Sequence, residues 1–250
     1  MGIGTKLGIF GLSGASSFSN TKSVDFDGVD DYVNIADNNN LSFGDGSTDS
    51  PFSISAWIKM TDATKFRIVF KADNSATGNE YGLFTSASDI LFFQLYDMTT
   101  SVKIARYYNT ALTSYEGQWI HIVATYSGNS NVSGIKLYIN GLRVDDTSSS
   151  LGSYVAMHNT TVPFEIGKYS TSTANGLIDE VALFSSELSA SDVTTIFNSG
   201  VPASLTSLSP LGWWRMGDGD TYPTLTDNGS GGNNGTMTNM ASGDIVTDVP

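Results

Sequence analysis

Five glutamates and two histidines are the side chains of this sequence best suited to moving protons: Glu80, Glu116, Glu165, Glu180 and Glu187, with His121 and His158. Acid–base work needs two such groups converging on one substrate, and no two of the glutamates are spaced to share a single strand face. Neither histidine stands next to a nucleophile signature. Cysteine is absent, which excludes thiol catalysis, thiolate metal sites and a disulfide framework. Binding chemistry is better represented. Tyr107, Tyr108, Tyr115, Tyr154, His158 and Tyr169 fall in or near predicted loops, where an aromatic face can stack on a sugar ring while polar neighbours fix its orientation. Packing at a strand end is the competing role for each of them. Trp57, Trp119, Trp213 and Trp214 are expected to be mostly structural.

Charge narrows the partners. The 250 residues carry 25 Asp and Glu against 12 Lys and Arg, a formal net charge of −13, and no basic cluster interrupts the chain. Nucleic acid and anionic membrane are therefore not expected partners, because phosphate binding needs a concentrated basic face. Carboxylates in this number leave hard oxygens for calcium, although most are expected simply to be solvated. No apolar run approaches the ~20 residues of a membrane span, and the opening stretch has its hydrophobes scattered among glycine and serine, unlike a secretory signal.

The elements that must position these side chains are strands. Phe52, Ile54, Ala56, Ile58 and Met60 alternate with Ser53, Ser55, Trp57 and Lys59, the period of a half-buried strand. Similar runs recur along the chain, bounded by Gly, Asn, Asp or Ser, which predicts an all-β sandwich or jelly roll of antiparallel sheets. Asn140-Gly141 between two such runs predicts a hairpin with a type I′ turn. One short helix is expected over 190–199, with Ser189 and Asp192 as a capping pair and Gly200 after its end. Residues 1–22 read as a Gly/Ser-rich arm, 23–200 as the sandwich, and 201–250 as a linker with a last strand around Trp213 and Trp214. That strand is expected to complete the sandwich in cis or in a neighbouring subunit.

Four stretches carry a family likeness. Phe26-Asp27-Gly28-Val29-Asp30-Asp31-Tyr32-Val33, Phe52-Ser53-Ile54-Ser55-Ala56-Trp57-Ile58, Gln118-Trp119-Ile120-His121-Ile122-Val123-Ala124 and Gly176-Leu177-Ile178-Asp179-Glu180-Val181 follow one another in the order of laminin G-like domains. The chain thus resembles the concanavalin A-like lectin/glucanase jelly rolls. One departure stands out: the aromatic strand and Asp/Gly/Asn-rich turn that open the family's domains resemble Gly212–Asp218 and Asp227–Thr236, which here come last. The order looks circularly permuted.

The resemblance implies further expectations. Glucanases of this fold use a Glu-x-Asp-x-x-Glu strand that is missing here, so the chain is expected not to be an enzyme, with glycoside hydrolysis ranked last. His121 falls where the family places a structural histidine. A structural calcium is expected at Asp179, with Asp227 as a second ligand; the alternative is that Asp179 accepts backbone N–H groups without metal. Resemblance to virion-borne members gives the leading functional expectation, a phage decoration or tail-appendage protein on the virion surface, forming a homo-oligomer or joining other virion proteins and able to bind glycans. The alternative is a stand-alone extracellular carbohydrate-binding adhesion module.

Overall fold

The alternating runs form two antiparallel sheets in the computed structural model, which describes residues 18–250. The expected arm at residues 1–22 lies outside the described residues as far as residue 17. In the first sheet the order is Leu142–Arg143, Ile135–Ile139, Ile120–Tyr126, Phe52–Met60, Asn175–Phe184, Ser23–Asp27 and Ile245–Val246, with Gly212–Trp214 also paired to Asn175–Phe184. The second is ordered Thr147–Leu151, Lys103–Ala111, Ile90–Met98, Asn79–Thr85, Arg67–Ala72, Phe164–Ile166, Tyr32–Ile35, Gly235–Thr238 and Thr224–Leu225. Ile54, Ile58, Ile122 and Ile178 of the first sheet share one sealed core with Val33, Leu83, Phe93 and Ile166 of the second.

Local chemistry accounts for the punctuation. Asn140 and Gly141 both take positive φ (50° and 79°), as a type I′ turn requires, and set Ile139 opposite Leu142. The helix spans Ala190–Phe197, opened by a reciprocal capping box between Ser189 and Asp192. It stops earlier than the sequence pattern predicts, because Asn198 adopts the left-handed conformation (φ 46°) that caps it.

The strand Phe52–Met60 differs from its half-exposed expectation. Ser53, Ser55 and Trp57 are buried too, beneath a smaller core in which Val193, Ile196 and Leu205 of the helix and the following connection meet Val123, Phe184 and Trp213. Serines on the second face mimic a solvent face in the sequence. Here they are satisfied internally: Ser53 Oγ donates to the Ser186 carbonyl at 2.9 Å, and Ser55 Oγ lies 2.8 Å from His121 Nε2.

Residues after 200 enter both sheets of their own chain. Trp214 sits opposite Val181 and Gly212 opposite Leu183, while Ser23–Asp27 faces Asn175–Ile178 on the same edge of that strand. The two short strands run in the same direction, end to end. Between them the long strand bulges at Asp179–Ala182, with Glu180 at φ 46°. Trp214 is fully buried, stacks on Phe164 with ring centroids 5.4 Å apart and donates its Nε1–H to the Asn233 carbonyl at 2.8 Å. Trp214→Ala should destabilise the protein by about 3–5 kcal/mol in urea unfolding, the usual cost of emptying a packed tryptophan site; a loss below ~1 kcal/mol would show that the tail does not close the core.

Candidate functional site

Alternation along Ile90–Met98 sends Leu91, Phe93 and Leu95 into the core and leaves Phe92, Gln94 and Tyr96 on the outer face of the second sheet. Directly opposed residues of an antiparallel pair project to the same side, so the register identifies the rest of that face. One row across the strands reads Arg67, Phe84, Phe92, Tyr107 and Thr147. The next reads Phe70, Gly82, Gln94, Ala105 and Ser149, and Tyr96, Lys103 and Leu151 form a third. In the middle row the Phe70 ring covers Gly82 and Ala105 is buried, so Gln94 and Ser149 form the accessible floor of a shallow trough with an aromatic wall on one side. Four residues separate the outer rows, so the walls stand about 13 Å apart at the strand rise of ~3.3 Å per residue.

The rings of that wall brace one another. Phe84 and Phe92 stack at 5.7 Å and 11°, and Phe92 and Tyr107 at 4.5 Å and 19°. Phe70, lying over Gly82, stacks on Tyr169 at 4.3 Å and closes one end of the trough. The Arg67 guanidinium sits 5.3 Å from the Phe84 centroid and 5.8 Å from those of Phe70 and Tyr169. Tyr96 Oη donates to Gln94 Oε1 at 2.7 Å, which fixes the one amide on the trough floor. Half-exposed rings with an oriented amide and cations beside them are the ingredients of a polar-ligand groove on a rigid support.

Of the six aromatic positions expected to bind glycan, the structure brings Tyr107 and Tyr169 to this face. Tyr108 pairs with Leu91 and packs against the inter-sheet core, as does Tyr115. Tyr154 Oη donates to Asp49 at 2.8 Å, sharing that carboxylate with Tyr126. His158 Nε2 lies 3.0 Å from Asp97 Oδ1. Arg67, Phe84, Phe92, Gln94, Tyr96 and Lys103 were not singled out from the sequence; the signal available was the outward set Phe92, Gln94 and Tyr96 within an alternating strand.

The acids divide into structural groups and one exposed cluster. Asp179 Oδ2 accepts from Asn20 Nδ2 at 2.7 Å and its Oδ1 from the Glu180 amide, and burial raises its pKa well above the usual carboxylate range. Both oxygens of Asp227 are held by backbone amides, Oδ1 by Trp213 and Gly229 and Oδ2 by Asn233, at 2.7–2.8 Å. Asp27, Asp30 and Asp31 each offer a carboxylate oxygen within 4.8 Å of the others, the one such group of three among the described residues. Burial pushes the Asp31 carboxyl up to about 6, with Asp27 and Asp30 adding like charge.

Every glutamate has a partner. Glu80 pairs with buried Lys71 at 3.2 Å, Glu165 with Lys168 at 3.4 Å, Glu187 with Lys136 at 2.5 Å and Glu180 with Arg215 at 3.1 Å, while Glu116 accepts from the Ala63 amide at 2.9 Å. His121 is sealed under the helix, and burial lowers its pKa to about 3.

A family model described as the concanavalin A-like lectin/glucanases superfamily matches residues 27–194. No curated protein matches the sequence. Among solved structures, a protein from Bacteroides ovatus provisionally described as carbohydrate binding superposes with a TM-score of 0.60 at 18% identity, over 92% of this chain and 60% of that one. This chain thus spans less than two thirds of that protein. A native heptameric pentraxin from Limulus polyphemus gives a TM-score of 0.48 at 13% identity over 71% and 82% of the two chains. Domain 4 of an extracellular arabinanase from Geobacillus stearothermophilus, in complex with arabinotriose, gives 0.43 at 22% over 61% and 69%. At these identities the likeness is one of fold.

Glu180 supplies a test of the acidic junction. Burial outweighs Arg215 and raises its pKa from 4.5 to about 7, so between those values the folded state binds more protons than the unfolded chain. Stability should therefore fall as pH rises from about 4.5 to about 7. Melting temperatures measured across that window should decline in the parent and decline less in Glu180→Gln; parallel curves would show that Glu180 does not carry the excess proton.

Proposed function

We propose, from the premise that this chain belongs to the concanavalin A-like lectin/glucanases superfamily, that it is a non-catalytic carbohydrate-binding module whose ligand lies in the trough across the second sheet. The observation that carries this reading is the braced row Phe84, Phe92 and Tyr107 beside the accessible Gln94 amide. An extended ligand crossing these strands meets apolar ring surface on one flank and the Gln94 amide beneath. The commitment of each glutamate to its own partner supports binding over hydrolysis, since a retaining glycosidase needs two carboxyls about 5–5.5 Å apart and free to act. The Bacteroides ovatus protein, which shares the fold, is described in the same terms, and that description adds weight to the reading.

Two structural readings accompany it. The end-to-end alignment of Gly212–Trp214 with Ser23–Asp27 supports a permuted strand order, in which the family's opening strand has been moved to the tail. The Asp27, Asp30 and Asp31 carboxylates offer three hard oxygens on one turn, the donor chemistry for calcium, beside the Asp179 and Asp227 expected from the sequence. Display on a phage particle draws no support from the three structures compared above, and the binding reading does not depend on it.

Affinity electrophoresis against a panel of soluble polysaccharides should find at least one that retards the protein, with Phe92→Ala and Tyr107→Ala each weakening it at least about ten-fold, or ~1.4 kcal/mol. Retention unchanged in both variants would remove the trough as the site. Added calcium should raise the melting temperature, and Asp30→Asn should abolish that rise without altering the value in chelator; a melting curve indifferent to calcium would remove the metal.

A further inference from the structure

Charge distribution on the trough narrows its ligand further than shape alone, given the carbohydrate-binding reading on which this inference rests. In a chain with 25 acidic and 12 basic residues, the outward positions of the five strands that form the trough include Arg67 and Lys103 and no carboxylate. Acids at its margins are engaged elsewhere: Glu165, opposite Phe70 on the adjoining strand, with Lys168, Asp97 with His158 and the Val155 amide, and Asp146 with the Asn109 amide and Thr147.

Most basic residues here face a carboxylate, as Lys59 does Asp248 at 2.6 Å and Arg215 does Glu180 at 3.1 Å. Among the described residues Lys22, Lys65, Arg67 and Lys103 have none, and of these Arg67 and Lys103 lie on the trough. Arg67 is also desolvated: aromatic rings surround its guanidinium, and its enclosed Nε has no hydrogen-bond partner. Lys103 Nζ lies 5.7 Å from the Tyr96 centroid, and burial lowers the pKa of both groups. A cation stripped of water and left without an anion is costly to the free protein, and an incoming carboxylate or sulfate recovers that cost.

We propose that the trough selects an acidic polysaccharide, with Arg67 receiving a uronate carboxylate or a sulfate ester and Lys103 a second anionic group further along the chain. Arginine suits the first role because its planar fork donates to two oxygens at once. Lys103 lies three strand spacings across and four residues along from Arg67, roughly 20 Å between backbones, so a single acidic sugar reaches only one of them and an oligomer is needed to engage both. The net charge of −13 works against unspecific uptake of a polyanion, so retention of one reports local contacts.

The experiment compares polygalacturonate, dextran sulfate and dextran by isothermal titration with the full chain. Expected is binding of at least one acidic polymer at least ten-fold tighter than dextran, with Arg67→Gln removing that preference, Arg67→Lys retaining part of it and Lys103→Gln reducing it several-fold. Polygalacturonate alone identifies a carboxylate ligand and dextran sulfate alone a sulfate; both binding identifies charge as the selected feature. Dextran bound as tightly as the acidic polymers, or an acidic preference intact in folded Arg67→Gln and Lys103→Gln, overturns the proposal. If Phe92→Ala still abolishes that binding, the carbohydrate reading survives the loss; if no polysaccharide binds at all, both fall.

Discussion

A carboxylate withdrawn from water has to be met by donors, and Glu180 is met by two from the far end of the chain. Trp213 Nε1 donates to its Oε2 at 2.5 Å and Arg215 Nε to its Oε1 at 3.1 Å. The same arginine donates to the Ser19 carbonyl at 2.5 Å, and Asp218, which approaches Arg215 at 3.3 Å, accepts from the amide and hydroxyl of Thr21. One acidic bulge thereby fastens the entering and departing ends of the polypeptide to the central strand of the first sheet. Removing one member would leave the other buried and unmatched, which is why such a junction specifies a single arrangement more strictly than apolar packing does.

With that junction set, the two outer faces of the sandwich acquire different fates. On the first sheet the helix Ala190–Phe197 and the connection after it cover Val123, Phe184 and Trp213. The second sheet keeps Phe84, Phe92 and Tyr107 half-exposed in a row fixed by strand register. A slip of one residue in Ile90–Met98 would turn Phe92 inward and Phe93 outward, so the pattern that fills the core also holds the outer row in place.

The sandwich was legible in the sequence wherever one face of an element is wet or a turn demands particular residues. Burial alternates residue by residue from Ile90 to Leu95, Asn140-Gly141 needs positive φ at both positions, and Ser189 with Asp192 forms the capping pair its spacing predicts. Phe52–Met60 was half legible, because Ser53 and Ser55 look solvated until a distant segment is known to roof them. The trough was not legible as a unit. Arg67, Phe84, Phe92 and Tyr107 lie on four strands, and only the hydrogen-bond register lines them up. Loop tyrosines were the natural guess, yet Tyr154 is drawn inward by Asp49, a partner 105 positions away.

The two ends of the described chain lie side by side. Ser23 Oγ donates to the Asp248 carbonyl at 2.6 Å, and Ile245–Val246 pairs directly with Ser23–Val24. A short peptide joining them would turn the polypeptide into a closed ring with every strand partner retained, and that ring could then be opened at another surface turn. The placement of the chain break is thus largely independent of the architecture, and a passenger fused after Pro250 would emerge beside the first sheet, leaving the aromatic face unobstructed.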